Sequence, residues 1–177
     1  MKKAIVTGAT GAVGTALVNK LISENVETLV LVRKGGRVNK IPQNPLVKIA
    51  YCSLDEMADF QNTDNEKYDV MFHLAWAGPY GKDRNDMFLQ TDNIKNELEA
   101  VKLAKRFGCE TFVGAGSQAE NGRLKDGEKG SPTSPTNPDN GYGIAKLAAG
   151  KMSRILCSQL GMKHIWCRIL SAYGPGD

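Results

Sequence analysis

Soft metal ligands are scarce in this sequence. Its 177 residues include two histidines, His73 and His164, and four cysteines, Cys52, Cys109, Cys157 and Cys167. No two cysteines form a CxxC pair and none stands at metal-ligand spacing, which argues against a zinc site. The thiols are expected to be buried or semi-buried in a reducing cytoplasm. Long apolar runs are missing too. No stretch reaches eighteen residues, so no transmembrane helix is expected, and no apolar signal region precedes the first strand pattern. Lys and Arg number 23 against 19 Asp and Glu, a formal charge of +4, yet no five basic residues run together. Neither a nucleic-acid patch nor a membrane patch is therefore expected. Internal repeats and low-complexity tracts are also absent. What remains is 41% apolar and 24% charged, the composition of one soluble domain with a sizeable core.

Strand patterns occur at 4–6, 26–32, 46–51, 68–74, 110–114 and 163–170. Helical patterns cover 12–24, 87–107 and 142–160, with a short helical turn at 55–60. Residues 79–86 and 123–140 read as loops, the second long enough to be functional. Strands that alternate with helices predict an α/β fold with a doubly wound parallel sheet and helices on both faces. The strand at 26–32 is nearly all apolar, as a sheet covered on both faces requires. Ligands of such sheets sit beyond the carboxyl ends of the strands.

The first strand leads into Thr7-Gly8-Ala9-Thr10-Gly11-Ala12-Val13-Gly14 and then into a helix. Strand, glycine turn and helix in that order aim free N–H groups and a helix dipole at one spot, which suits a pyrophosphate. Gly8 permits the turn, Gly11 admits the pyrophosphate and Gly14 lets the helix pack on the strand. A tight βα turn with no ligand is the alternative. After the second strand, where an acid would hold a ribose 2′-hydroxyl, stands Arg33. A guanidinium there can pair with a 2′-phosphate, so NADP is preferred over NAD, with NAD possible. The alternative is a solvated loop start.

Tyr142 and Lys146 lie four apart on a helix and so share a face. A nearby ammonium lowers a phenol's pKa toward the working range of an acid/base catalyst. Ser117, at the mouth of the fifth strand, can donate to a substrate oxygen. His73 sits within a strand and reads as a satisfied core histidine.

Together these motifs resemble the extended short-chain dehydrogenase/reductases, the family of nucleotide-sugar epimerases, dehydratases and reductases. Residues 7–14 resemble its TGxxGxxG. His73-Leu74-Ala75-Trp76-Ala77 resembles its HLAA segment, and Asn93 the helix asparagine that follows. Ser117 to Gly122 resembles the SxxxYG stretch, Tyr142 and Lys146 the YxxxK pair, and Arg168 to Gly176, which includes Leu170, the RxxNxYGPG segment beside the nicotinamide. The resemblance implies a Rossmann-type NAD(P)-binding domain over residues 1–177, with the family's smaller substrate domain missing after Asp177. It implies catalysis by Ser117, Tyr142 and Lys146. It implies cofactor contacts from Thr7, Gly8, Thr10, Gly11, Ala12, Val13, Gly14, Arg33, Ser53, Leu54, Leu74, Ala75, Trp76, Asn93, Tyr142, Lys146 and Leu170.

The departures narrow the activity. Ser53-Leu54 replaces Asp-Leu after the third strand. Asn121 replaces the tyrosine of SxxxYG, and Ser171 an asparagine. Gln118 and Ala119 stand where dehydratases carry an acid pair, which disfavours dehydration. The expectation is a cytoplasmic epimerase or 4-keto reductase for a nucleotide-linked sugar, with no metal. Another small ketone within the family is open as substrate. Helices 87–107 and 142–160 resemble the pair that forms a dimer's four-helix bundle, so a homodimer is expected. The rival is a non-catalytic NADP sensor of the same fold, favoured by the missing substrate domain and disfavoured by the Tyr142, Lys146 and Ser117 set.

Overall fold

The computed structural model describes residues 1–63, 65–123, 127, 131 and 133–174. Six strands form one sheet: β1 (Lys3–Thr7), β2 (Glu27–Val32), β3 (Val47–Tyr51), β4 (Val70–His73), β5 (Thr111–Ser117) and β6 (Lys163–Ile169). Their order is β3-β2-β1-β4-β5-β6, and every pairing is parallel. The chain starts at the middle of the sheet, builds to one edge, returns to β4 and builds to the other. That switch point opens a crevice at the carboxyl ends of β1 and β4, the place where doubly wound folds bind ligands.

Helix α1 (Ala12–Ser23) covers one face, and α2 (Met87–Arg106) and α3 (Gly141–Gln159) cover the other. On the α1 side Ala4, Val6, Val30 and Val70 pack with Val18 and Leu21. On the opposite side Ile5, Leu29, Met71 and Phe112 pack with Ala100 and Leu103 of α2, with Phe107 just past its end, and with Cys157 of α3. Alternation along each strand divides its side chains between these two cores.

The helix patterns hold where their faces do not. Phe88, an apolar residue of α2, is 87% exposed, whereas Gln90, Asn93 and Glu97 are buried. In α3 the sheet-facing stripe is small, with Ala145, Ala149, Gly150 and Ser153 buried, and Ile144, Met152 and Ile155 lie outside. The reason is Trp166 on β6. A Cβ on Gly150 would lie 2.5 Å from its ring, so α3 meets the sheet through small residues and turns its large ones outward. Strand β5 runs three residues past its expected end at Gly114, through Gly116, for a related reason: Trp166 lies against both glycines. The loop at 79–86 contains a 3₁₀ turn, Gly81–Asn85, and the turn expected at 55–60 is a shorter one, Leu54–Glu56. Three cysteines are buried, but Cys167 is exposed, because the outer face of β6 carries no helix among the described residues.

Phe112 is completely buried, with His73 and His164 rings on either side at 6.1 and 6.2 Å. Phe112→Ala is expected to cost about 3–5 kcal/mol in urea unfolding.

Candidate active site

The glycine turn is built backbone against backbone. A Cβ on Gly14 would lie 2.1 Å from the Gly8 carbonyl oxygen, and one on Gly8 would lie 2.7 Å from the Ala75 nitrogen. Both glycines are therefore demanded by the chain itself. Gly11 is different. Its φ is −83°, and an added Cβ would find only the Gly8 oxygen, at an ordinary 3.6 Å. Nothing in the described fold requires a glycine there, so the bare position faces outward, where a ligand would lie. Gly11 is also the N-cap of α1 and brings no side chain to the helix's first N–H groups. Free N–H donors, a dipole end and open space above Gly11 together fit a pyrophosphate.

Thr7 closes the turn from beneath. Its hydroxyl pairs with His73 Nδ1 at 2.9 Å and accepts from the Leu74 and Ala75 N–H groups at 3.2 Å. Having two donors already, that oxygen gives its proton to His73, which is a buried, bonded core residue. Asn93 fastens the same segment from α2. Its side chain accepts from the Ala77 N–H at 3.0 Å and donates to the Ala77 oxygen at 2.9 Å. Leu74, Ala75 and Trp76 are thus held at the mouth of β4, half-buried, directly beside Gly8.

At the β2 end Arg33 is exposed and has no ion pair among the described residues. At the β3 end the Ser53 hydroxyl donates to Asp55 at 2.6 Å and belongs to a capping box with Glu56. Leu54 follows it in that turn and packs against the core. Thr10, Ala12 and Val13 remain partly accessible along the turn, and Leu170 is 58% exposed past β6. Pro175 and Gly176 of the last family-like segment lie outside the described residues, as do positions 124–126, 128–130 and 132 of the long loop.

Ser117 ends β5, and Tyr142 opens α3. The Asn140 side chain caps α3 by accepting from the Gly143 N–H at 2.9 Å. A Cβ on Gly143 would lie 2.4 Å from the Ala119 oxygen, so α3 rests directly on the 3₁₀ turn Gln118–Asn121 that follows Ser117. This contact brings the Tyr142 phenol beside Ser117, whose hydroxyl accepts from the Ala119 N–H at 3.2 Å. Burial holds that phenol above the ordinary tyrosine range, while Ser117 and the Arg84 charge pull it down. Lys146 is on the same helix face, but its ammonium turns inward. It donates to the Ala115 oxygen at 2.7 Å and lies 3.6 Å from the centre of the Trp76 ring. It is 6.0 Å from the Tyr142 ring centre and only 3% exposed. Trp76 meets Tyr142 edge-on at 6.0 Å.

Two buried acids were absent from the sequence reading. Glu120 accepts from the Ser117 N–H at 2.8 Å and the Trp166 indole at 3.0 Å, and it faces Arg168 at 3.4 Å. It therefore locks the residue that carries the catalytic-type hydroxyl. Glu97 lies behind Lys146 and makes no hydrogen bond among the described residues. His73 Nε2 is 3.8 Å away. Burial pushes the Glu97 carboxyl up and the Lys146 ammonium down, each opposed by the other's charge. A signal for Glu97 existed: it falls on the buried stripe of α2 with Ala100, Val101 and Ala104. Arg84 had none, being one of several charges in a loop. Beyond Ser117 and Tyr142 opens a cleft of about 1160 Å³, lined in part by Arg84, Gln118, Asn121, Asn140, Trp166 and Arg168. No group of His, Cys, Asp and Glu among the described residues could hold a metal ion, and no helix among them is long and apolar enough to cross a membrane.

The fold and site together define a dinucleotide-type α/β domain with a Ser–Tyr pair at the sheet's carboxyl edge. The chain matches the NAD dependent epimerase/dehydratase family over residues 4–177 and belongs to that family. It is 24% identical over 190 residues to the UDP-glucose epimerase YtcB of Bacillus subtilis, itself uncharacterised, covering 98% of this chain and 57% of that protein. It resembles the crystal structure of a UDP-galactose 4-epimerase with a TM-score of 0.81 at 24% identity, over 94% of this chain and 55% of that one. The NAD⁺ complex of the Bordetella bronchiseptica enzyme WbmH gives a TM-score of 0.80 at 21% identity, over 100% and 59%. The chain thus spans a little over half the length of these relatives.

Two outcomes follow from this geometry. Gly14→Ala is expected to lower stability by about 2 kcal/mol or more, since backbone must move. Gly11→Ala is expected to leave the melting temperature unchanged and weaken dinucleotide binding at least about tenfold in calorimetric titration. Burial, aided by the Lys146 charge, holds the His73 imidazole down at about 3, against 6.5 when unfolded. The unfolded chain therefore takes up this proton first as the medium is acidified. Stability linked to His73 is present above about pH 6.5 and is lost toward pH 3. Melting curves across this window should show a steeper acid loss in the parent than in His73→Gln.

Proposed function

We propose that this chain is the NAD(P)-binding part of an epimerase or 4-keto reductase that acts on a nucleotide-linked sugar. The observation that carries the reading is that Ser117 and Tyr142 come together at the same sheet edge as the uncapped glycine turn. In this reading Gly8, Gly11, Gly14 and the first N–H groups of α1 hold the pyrophosphate. Leu74, Ala75 and Trp76 line the path toward the site. Bound NAD(P) would supply hydride exchange with the sugar carbon. Tyr142 moves the proton on or off the oxygen of that carbon, Ser117 orients the oxygen by donation, and Lys146 is the buried cation behind them. The cleft beyond Tyr142 receives the sugar. The greater length of the matched relatives supports assigning residues 1–177 to cofactor binding within a longer enzyme.

Arg33 supports NADP, since an exposed guanidinium at the β2 end with no ion pair among the described residues suits a 2′-phosphate. The NAD complexes among the structural neighbours belong to those proteins. The rival, a dinucleotide sensor, has no observation of its own to favour it. The outward stripe of Met87, Phe88, Ile144, Met152 and Ile155 supports a homodimer through α2 and α3. A cytoplasmic setting fits the four free thiols.

Titration with NADPH and NADH checks the cofactor. NADPH is expected to bind at least about tenfold more tightly, and Arg33→Ser to abolish the difference; tighter NADH binding in the parent would sink the Arg33 reading. In the full enzyme Tyr142→Phe is expected to cut turnover by about 10²-fold or more with cofactor affinity little changed. Unchanged turnover would remove Tyr142 from its role.

A further inference from the structure

The Ser117 side chain is held by its own turn. Its hydroxyl oxygen accepts from the Ala119 N–H at 3.2 Å. The turn is also a capping box: the hydroxyl accepts from the Glu120 backbone N–H, and the Glu120 carboxyl accepts from the Ser117 N–H at 2.8 Å. Two N–H groups therefore engage the two lone pairs of this hydroxyl, and its proton is what remains to be offered. A free serine hydroxyl rotates and accepts as readily as it donates. This one is set to donate.

Glu120 fixes that turn against β6. It is 1% exposed. The oxygen that takes the Ser117 N–H also accepts from the Trp166 indole at 3.0 Å, and the other oxygen faces the Arg168 Nε at 3.4 Å. The bond to Trp166 passes directly over Gly116. A Cβ there would lie 2.4 Å from the indole nitrogen and 2.6 Å from the same Glu120 oxygen. The strand thus carries no side chain at the residue before Ser117, and the carboxyl and the indole meet in that space. A capping box on an open surface needs neither the glycine nor the indole. Trp166 and Arg168 also line the cleft, so one buried carboxyl ties the cleft wall to the backbone of Ser117.

On the reading of Ser117 as the donor to the sugar oxygen, we infer that Glu120 is the positioning residue that makes it a donor. Glu120 acts through Ser117. It seats the turn whose N–H groups occupy the hydroxyl oxygen, and it leaves the hydroxyl proton for an acceptor beside Tyr142. Without the carboxyl, the Ser117 N–H and the Trp166 indole lose their shared acceptor in a buried place. The turn then relaxes and the hydroxyl regains its rotation. A misplacement of about 1 Å in such a group is enough to slow a reaction about 10²-fold.

A double-variant cycle in the full enzyme separates this role from a structural one. Ser117→Ala is expected to lower kcat about 10²-fold. Glu120→Leu, similar in size but with no acceptor, is expected to lower kcat about tenfold or more. Glu120→Gln still offers one oxygen to the Ser117 N–H and the indole, and is expected to recover most of that loss. Ser117→Ala combined with Glu120→Leu should be no slower than Ser117→Ala alone, because with the hydroxyl gone nothing is left to position. Matched melting curves show which variants keep the fold. Trp166→Phe removes one donor to the carboxyl while keeping a ring, and it supplies the same cycle if Glu120→Leu does not fold. Its expected loss is about threefold with Ser117 present and none with Ser117→Ala. A parental rate in the folded variant, or losses that multiply in the double variant, overturns the inference. If Ser117→Ala itself turns over at the parental rate, the functional reading of Ser117 fails instead, and the assignment of Glu120 falls with it.

Discussion

Helix α1 can lie on β1 only because nothing stands between Gly14 and the Gly8 carbonyl. That contact sets the angle at which the helix leaves the strand, and the turn has no slack to adopt another. Its other side is pressed on the backbone at Leu74 and Ala75, so the mouths of β1 and β4 are held together at the point where strand order reverses. Parallel pairing then carries the arrangement outward. Because every strand points the same way, Arg33, Ser53 and Ser117 arrive at one edge without any special contact among them. The open position at Gly11 is what this frame leaves for a ligand.

Behind that edge the interior is unusually polar. Thr7, His73, Gln90, Asn93, Glu97, Glu120 and Lys146 are all buried. Most have partners: Asn93 and Gln90 hold the loop after β4, and Glu120 holds Ser117 and Trp166. Buried charge is costly unless paired, and here the Glu97 and Lys146 charges oppose one another inside the core. The arrangement trades stability for position. It keeps Lys146 away from solvent, places the Trp76 ring over it, and leaves Arg84 as the half-buried cation over the Tyr142 ring.

Much of this was legible beforehand. The glycine turn, the alternation of strands and helices, and the YxxxK spacing located the sheet edge and the Ser117–Tyr142 pair, because those features depend on short-range rules. Long-range packing was not legible. Trp166 decides that α3 buries small residues and exposes Ile144, Met152 and Ile155, and nothing near α3 in sequence announces a tryptophan on β6. Lys146 looked like the partner of Tyr142 because four residues of helix place them on one face. Trp76 and the Ala115 oxygen, 70 and 31 positions away, draw the ammonium inward. Asn93 looked like a cofactor ligand, and its side chain is engaged on both ends by Ala77.

The central claim is that one dinucleotide spans this edge from the glycine turn to Tyr142. A crystal structure of the chain with NADPH tests it most directly. The account predicts the pyrophosphate on the N–H groups at the start of α1, above Gly11, and the nicotinamide within reach of Tyr142 and Ser117. A dinucleotide bound elsewhere, or one whose nicotinamide points away from Tyr142 while the pyrophosphate is in place, would contradict it.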